Sequence, residues 1–375
     1  MNILISPQAF KGSISAIEVA NNIEKGILKS SANHKIIKLP VADGGDDTLK
    51  TLVEITNGQI YETNATRPDG KIIKTQWGAL GDNKTAVIEM AKISGLALMN
   101  SKNMEPHKYT TYGMGEVIKN CLDHGFNKFI IGIGGSATND GGLGMAQALG
   151  AKCTDRYGNS IKKGIDGLKN LDEINLDNMD KRIEHSIFQI ACDVNNPLYG
   201  ENGATYTFGP QKGFTSTQIK LIDNHMKNYG NIIDDLSNSK ISSLPGSGAA
   251  GGVGAAAMYF LNGRLESGSK IILEYLEFEK YCKNIDIVIT GEGQIDFQTI
   301  NNKAPIAVAR IAKKYNIPVY AICGILGDNY EKVYKEGIKK IYPLCENQNE
   351  IEFATKNAKR LIQEKAYKLI TDNII

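Results

Sequence analysis

Ile130-Ile131-Gly132-Ile133-Gly134-Gly135-Ser136-Ala137-Thr138-Asn139-Asp140-Gly141-Gly142 begins as a β-branched run and ends as a turn rich in glycine and aspartate. β-Branched side chains suit a pleated surface, and glycine permits the positive φ of a sharp reversal. Reading outward, Lys128–Ile133 is the strand of this unit, and the same theme recurs at Asn2–Ser6, Ile36–Val41, Ile187–Cys192, Ile285–Thr290 and Val319–Cys323. Between these runs, Ala16–Ser30, Gly113–His124 and Pro305–Tyr315 carry apolar residues at helical spacing. Strands alternating with helices predict an α/β fold with mainly parallel sheets and helices on both faces. Ligands in such sheets bind outside the carboxyl ends of the strands, where these turns lie.

A chain of 375 residues suits two such domains better than one core. Thr66-Arg67-Pro68-Asp69-Gly70 is a turn signal, and the texture between Asn64 and Gly81 shifts toward antiparallel hairpin pairing. The strand–turn–helix rhythm resumes near Tyr281–Ile285. The expected organisation is a discontinuous α/β domain, 1–63 plus 284–375, with a second domain, 64–283, inserted into it.

Lys plus Arg number 43 against 41 Asp plus Glu, and the basic pairs are scattered, so no concentrated face for nucleic acid is expected. Six widely spaced cysteines, with no Cys-x-x-Cys, fit reduced thiols rather than a disulfide frame or zinc site. The chain opens directly on Ile3-Leu4-Ile5, and the small-residue run Gly248–Leu261 is too short to span a bilayer. A cytoplasmic protein without a membrane partner is expected.

The turns carry the chemistry. Pro7-Gln8-Ala9-Phe10-Lys11-Gly12-Ser13 joins the first strand to a helix, and Lys11 beside free N–H groups at a helix start would seat an anion; the plainer alternative is a capped helix with a surface lysine. Asp43-Gly44-Gly45-Asp46-Asp47 gathers negative charge after a strand, and Asp43, ahead of the glycines, suits Mg²⁺. In the opening segment, Gly134 and Gly135 allow close backbone approach, while Ser136, Thr138 and Asn139 offer hydrogen-bond partners to a phosphate. Asp193 follows another strand. Gly251, Gly252 and Gly254 are read as tight helix–sheet packing. Glu292 and Asp296, on a glycine-hinged turn, are candidates for metal binding or for accepting a substrate proton. With Asp140 they make a series of acids at strand ends beside anion seats, a composition suited to Mg²⁺-assisted phosphoryl transfer.

No Gly-x-x-x-x-Gly-Lys-[Ser/Thr] is present, and Gly263–Lys270 misses it by one place. The rival class is an NAD(P)-dependent oxidoreductase using the Gly132–Ala137 loop, because Gly132-x-Gly134-x-x-Ala137 approximates a dinucleotide fingerprint with Asp155 beyond it. A non-catalytic anion-binding module is a third class, and the density of acidic turns opposes it.

Ala9-Phe10-Lys11-Gly12-Ser13, Ala42-Asp43-Gly44-Gly45, Ile133–Gly142, Cys192-Asp193-Val194, Phe208-Gly209-Pro210-Gln211-Lys212-Gly213 and Ile289–Asp296 together resemble the bacterial glycerate kinases of the first type. The blocks follow the family's order from Pro7 to about Gly327. The resemblance implies ATP-dependent phosphorylation of D-glycerate, usually to 2-phosphoglycerate, with Mg²⁺. It also implies two α/β domains, the inserted one flavodoxin-like. Matched to these motifs, Lys11, Asp193 and Asp296 are expected in catalysis, Asp43 and Glu292 at the metal, and Gly134, Gly135, Ser136, Thr138 and Asn139 at the nucleotide. Lys212 is expected at the substrate carboxylate, with a surface turn as the alternative. Gln8-Ala9 stands where many relatives carry Asp-Ser, Gln294 where arginine is common, and Asp46 keeps the usual acid after Ala-Asp-Gly-Gly.

Overall fold

The computed structural model describes residues 1–30, 33–45, 47–99, 104–300 and 303–374; Asp46 lies outside the described residues. In chain order the strands are β1 (Asn2–Pro7), β2 (Lys35–Lys38), β3 (Gln59–Thr66), β4 (Ile72–Ala79), β5 (Thr85–Glu89), β6 (Lys128–Gly132) and β7 (Lys152–Thr154). They continue with β8 (Glu173–Asn175), β9 (Ile187–Ala191), β10 (Arg264–Glu266), β11 (Ile287–Ile295), β12 (Val319–Leu326) and β13 (Ile338–Pro343). The chain divides into two compact units, Met1–Asp43 with Ser269–Ile375, and Gly44–Gly268.

The first unit holds a five-stranded sheet in the order β13-β12-β11-β1-β2, parallel throughout. Its central strands β1 and β12 and the first half of β11 are buried on both faces, as doubly covered parallel strands must be, while the edge strands β2 and β13 carry exposed lysines. Ile3, Ile5, Ile289 and Ile322 pack beneath the helices Ala16–Leu28 and Ala358–Ile374. On the other face the helix Ala304–Lys314 lies against β1, β11 and β12. Helix Ala16–Leu28 forms because Ala16, Val19, Ala20, Ile23 and Ile27 recur at helical spacing, and Ser15 starts it with a capping box to Glu18. From β1 the chain moves one way to β2, and from β11 it moves the other way to β12. The strand order therefore reverses between β1 and β11, and the carboxyl ends of those two strands flank the natural ligand crevice of this sheet.

The second unit holds a six-stranded sheet, β10-β9-β6-β5-β4-β3, and a separate β7–β8 pair. From β10 to β5 the pairing is parallel, and β4 and β3 are antiparallel. The hairpin expected from the Asn64–Gly81 texture is β3–β4, in register from Gln59↔Ala79 to Thr66↔Ile72. Facing aromatic residues fix registers in this sheet. Tyr61 stacks on its partner Trp77, and Phe129 on β6 stacks on its partner Phe188 on β9, each pair with centroids 4.5 Å apart.

Both crossing points differ from the expected 63/64 and 283/284. The helix Thr48–Ile55 and β3 belong to the second unit, since that helix packs on β4 and β5, with Leu49 and Val53 meeting the face of Gly78. Residues 269–283 belong to the first unit, where Glu279 pairs with Lys314 at 3.1 Å. Periodicity shows that a helix has an apolar face; it does not show which sheet covers that face.

Candidate active site

At the crevice of the first sheet, backbone pairing continues beyond the strands. Gln8 N–H donates to the Gly291 carbonyl at 2.8 Å, and Val41 N–H to the Pro7 carbonyl at 2.9 Å. These bonds carry Gln8 and the Leu39–Asp43 segment alongside β1 and β11. There the Gln8 amide Nε2 donates to Asp43 Oδ2 at 2.7 Å. Gln8 is the residue that sequence reasoning left without a role. No local signal marks it, because its partner lies thirty-five positions away.

Glu292 and Asp296 were expected on a turn. Instead β11 runs straight through Gly291-Glu292-Gly293 to Ile295, with Glu292 opposite Cys323 on β12. Asp296 is the first residue beyond the strand. Its Oδ2 accepts Gln294 Nε2 at 2.9 Å, its Oδ1 accepts Gln298 N–H at 2.8 Å, and its own N–H donates to Thr299 Oγ1. Both its carboxylate oxygens are thus held. Glu292 is different. It is buried, Oε2 lies 3.7 Å from Lys303 Nζ, and Oε1 has no hydrogen-bond partner. Burial pushes its carboxyl up to about 7; the Lys303 ammonium and Thr299 hydroxyl oppose this, and the charges of Asp43 and Asp296 reinforce it. A buried carboxylate poised near neutral pH, with an unpartnered oxygen, is equipped to exchange a proton.

The helix after β1 does not offer the open anion seat that Lys11 suggested. Ser15 Oγ accepts the Glu18 N–H while the Glu18 carboxylate takes the Ser15 N–H, so the capping box fills the helix start with protein groups. Lys11 itself is exposed, at the lip of a cavity in this unit.

In the second unit the glycine loop divides in two. Gly134 and Gly135 are exposed. Ser136, Thr138 and Asn139 are buried: Ser136 bridges to Gly95, and Asn139 Nδ2 donates to Thr205 Oγ1 at 3.0 Å. Lys212, read as a substrate contact or surface turn, is fully enclosed and donates from Nζ to the Thr138 carbonyl at 2.6 Å. Burial lowers its ammonium to about 7, against the charge of Asp140. Asp140 is an interior group rather than a strand-end ligand. Its carboxylate accepts the Thr111 N–H and hydroxyl and the Gly142 and Gly144 N–H groups. Asp193 is exposed beyond β9, with Oδ1 accepting the Gly268 N–H at 3.3 Å. Glu89, at the end of β5, escaped the sequence reading. It is buried, caps the Leu49 N–H at 2.8 Å and pairs with Lys92 at 3.1 Å, a scaffold role.

The Gly132–Ala137 loop lacks the geometry of a dinucleotide fingerprint. The next helix starts only at Leu143, after left-handed Gly141 and Gly142, and Asp155 is spent on its own turn, accepting from Tyr157 and Asn159. A pyrophosphate seat needs the helix to begin within the loop. Gly251, Gly252 and Gly254 do pack tightly: a Cβ on Gly251 would lie 2.1 Å from the Thr138 carbonyl oxygen.

Among the described residues, no helix is long and apolar enough to cross a membrane, and no three His, Cys, Asp or Glu side chains form a ready metal cage. The glycerate kinase family profile matches residues 3–372. Glycerate 2-kinase of Escherichia coli K12 is 42% identical over 358 residues, covering 96% of this chain and 94% of that protein. The glycerate kinase of Haemophilus influenzae is 44% identical over 344 residues, 92% of this chain and 91% of the relative. A solved Salmonella typhimurium LT2 protein, assigned provisionally as glycerate kinase 2, superposes with a TM-score of 0.91 at 41% identity over 99% of this chain and 98% of its own. Matched along almost its whole length in sequence and in fold, the chain belongs to the glycerate kinase family and is an enzyme of that kind.

Proposed function

We propose that the protein transfers the γ-phosphoryl group of ATP to the 2-hydroxyl of D-glycerate, giving 2-phosphoglycerate and ADP in the cytoplasm. The observation that carries the reading is Glu292: a buried carboxylate held near neutral pH at the crevice between β1 and β11, flanked by Asp43, Asp296 and Lys303. Its unpartnered Oε1 takes the proton of the glycerate hydroxyl as that oxygen attacks phosphorus, and the bond to ADP breaks. Sequence reasoning left open which carboxylate takes the proton, naming Asp296 for catalysis and Glu292 for the metal; the hydrogen bonds favour Glu292 as the acceptor, since both Asp296 oxygens already accept donors.

Asp43 and Asp296 fit Mg²⁺, which binds through one or two carboxylates together with substrate phosphates and needs no larger protein cage. Bound there, the ion would neutralise charge on the transferring phosphate. Gln8 fixes the Asp43 carboxylate. Lys303 supplies a cation at the start of helix Ala304–Lys314, where the helix dipole adds to it. Lys11 is assigned to phosphate positioning in the first unit. Within the second unit, Lys212 and Asn139 hold the glycine loop from beneath, through the Thr138 carbonyl and the Thr205 hydroxyl. The 2-position is supported by the name of the Escherichia coli relative, glycerate 2-kinase.

The test is ADP release from purified protein with ATP, Mg²⁺ and D-glycerate, with the product identified by phosphorus NMR. A 2-phosphoglycerate resonance is expected. A 3-phosphoglycerate resonance would reassign the hydroxyl, and absence of glycerate-dependent ATP use would overturn the reading.

A further inference from the structure

The first unit contains a cavity of about 350 Å³ that the phosphoryl-transfer reading does not use. It lies at the carboxyl edge of the parallel sheet. Gly293 and Gln294 on β11 and Gly324 and Ile325 on β12 form its floor, Leu344 and Cys345 beyond β13 close one side, and Phe10 and Lys11 after β1 close another. The short helix Ile351–Lys356 covers it with Ala354 and Thr355.

The cavity has two ends. Phe10, Leu344 and Ala354, all buried, make an apolar interior, whereas Lys11, Ser13, Gln294 and Thr355 bring polar groups to it. Its floor is flat because two glycines bring the backbones together. A Cβ on Gly324 would stand 2.3 Å from the Gly293 carbonyl oxygen, and one on Gly293 would already touch the Lys11 backbone nitrogen at 3.4 Å. A slot with a flat floor, apolar walls and a few convergent polar groups is the usual form of a site for a planar organic ring. A three-carbon acid would leave most of this volume empty and its carboxylate against apolar walls. A purine with its ribose matches both the size and the polarity.

Position adds a second, independent argument. Gln294 lines the cavity and also donates to Asp296 at 2.9 Å, so one side chain belongs to the cavity wall and to the acidic centre. Lys11 lines the same cavity. We infer that this cavity holds the nucleoside end of the phosphoryl donor, its phosphates passing Lys11 and Gln294 toward Asp296 and Glu292. The inference rests on the kinase reading above and assigns where in the first unit the donor is bound.

Two experiments test it on the full-length protein. Thr355→Trp, at an exposed helix position on the lip, and Ala354→Leu, from within, each reduce the space available to the base. With folding confirmed by circular dichroism, the Kd for ADP by calorimetry and the KM for ATP should rise roughly tenfold or more, with the KM for glycerate within about twofold. Photolabelling of the unsubstituted protein with 8-azido-ADP should mark peptides containing Phe10, Leu344 or Ala354. Unchanged ADP affinity in the folded variants, or label confined to peptides of residues 44–268, would overturn the assignment while leaving the kinase reading intact. An unsubstituted protein that turns over no glycerate with ATP would remove the kinase reading and the inference with it.

Discussion

The Lys212 ammonium donates a 2.6 Å hydrogen bond to the Thr138 carbonyl from a fully buried position, fastening the glycine loop from below. Its ordinary value of 10.5 falls to about 7 in the folded protein. Between those pH values the unfolded chain holds a proton that the folded chain has released, so stability rises with pH through that window and is reduced below it. The contribution is on the order of a few kcal/mol. Urea denaturation at pH 7 and pH 9.5 should show the gain in the unsubstituted protein, and Lys212→Met should largely abolish the difference. An equal pH dependence in both proteins would remove the buried-lysine account.

For Glu292 the sign is opposite. Its carboxyl rises from 4.5 to about 7 on folding, so the folded state holds the extra proton between those values and stability falls as pH rises through them. Glu292→Gln should therefore be more stable than the parent at pH 8 by roughly 2–3 kcal/mol, measured without nucleotide. Turnover should fall by about 10²–10⁴ if the group is the base. In the parent, kcat/KM should lose activity on the acid side as the Glu292 carboxylate takes up a proton, a limb absent from the residual rate of the variant.

The 2.7 Å bond from Gln8 to Asp43 predicts a metal-dependent phenotype. Gln8→Ala should raise the Mg²⁺ concentration needed for half-maximal rate by about 10-fold to 100-fold, as losing the support of a ligand does. Asp43→Asn should lower the rate at saturating Mg²⁺ as well. Titrations of rate against Mg²⁺ at fixed ATP separate the two; a Gln8→Ala curve superimposable on the parent would remove Gln8 from the site.

Gly251 has φ +70, and an added Cβ would lie 2.1 Å from the Thr138 carbonyl oxygen that Lys212 engages. Gly251→Ala combines left-handed strain with overpacking and should cost about 2–4 kcal/mol. Thermal unfolding should show a clear loss of Tm, with activity falling through the glycine loop. A Tm within a degree of the parent would mean that the loop yields freely.

The family's motifs and the strand–turn–helix alternation were legible because they are local. A β-branched run followed by glycine and aspartate places an acid at a strand end whatever surrounds it, and this located Asp43, Asp193 and Asp296 beside strands. Helix Ala16–Leu28 was legible from the spacing of Val19, Ile23 and Ile27. The glycine spacing at 291 and 293 was misleading, because a strand tolerates glycine where its neighbour approaches closely, and β11 continues through both.

What only the tertiary structure decided is how each of these acids differs from the others. Asp140 and Glu292 look alike in sequence, yet Thr111 and the glycine N–H groups satisfy the first completely, while the second keeps a buried oxygen without a partner. Lys212 reads as a substrate contact or a surface turn and is enclosed, and Gln8 reads as a departure from a motif and holds Asp43. The placement of the residues 44–63 and 269–283 was likewise settled by packing. The physical reason is common to all of them. Protonation and burial depend on which groups from distant elements replace water around a side chain, and that replacement exists only once the sheets and helices have packed.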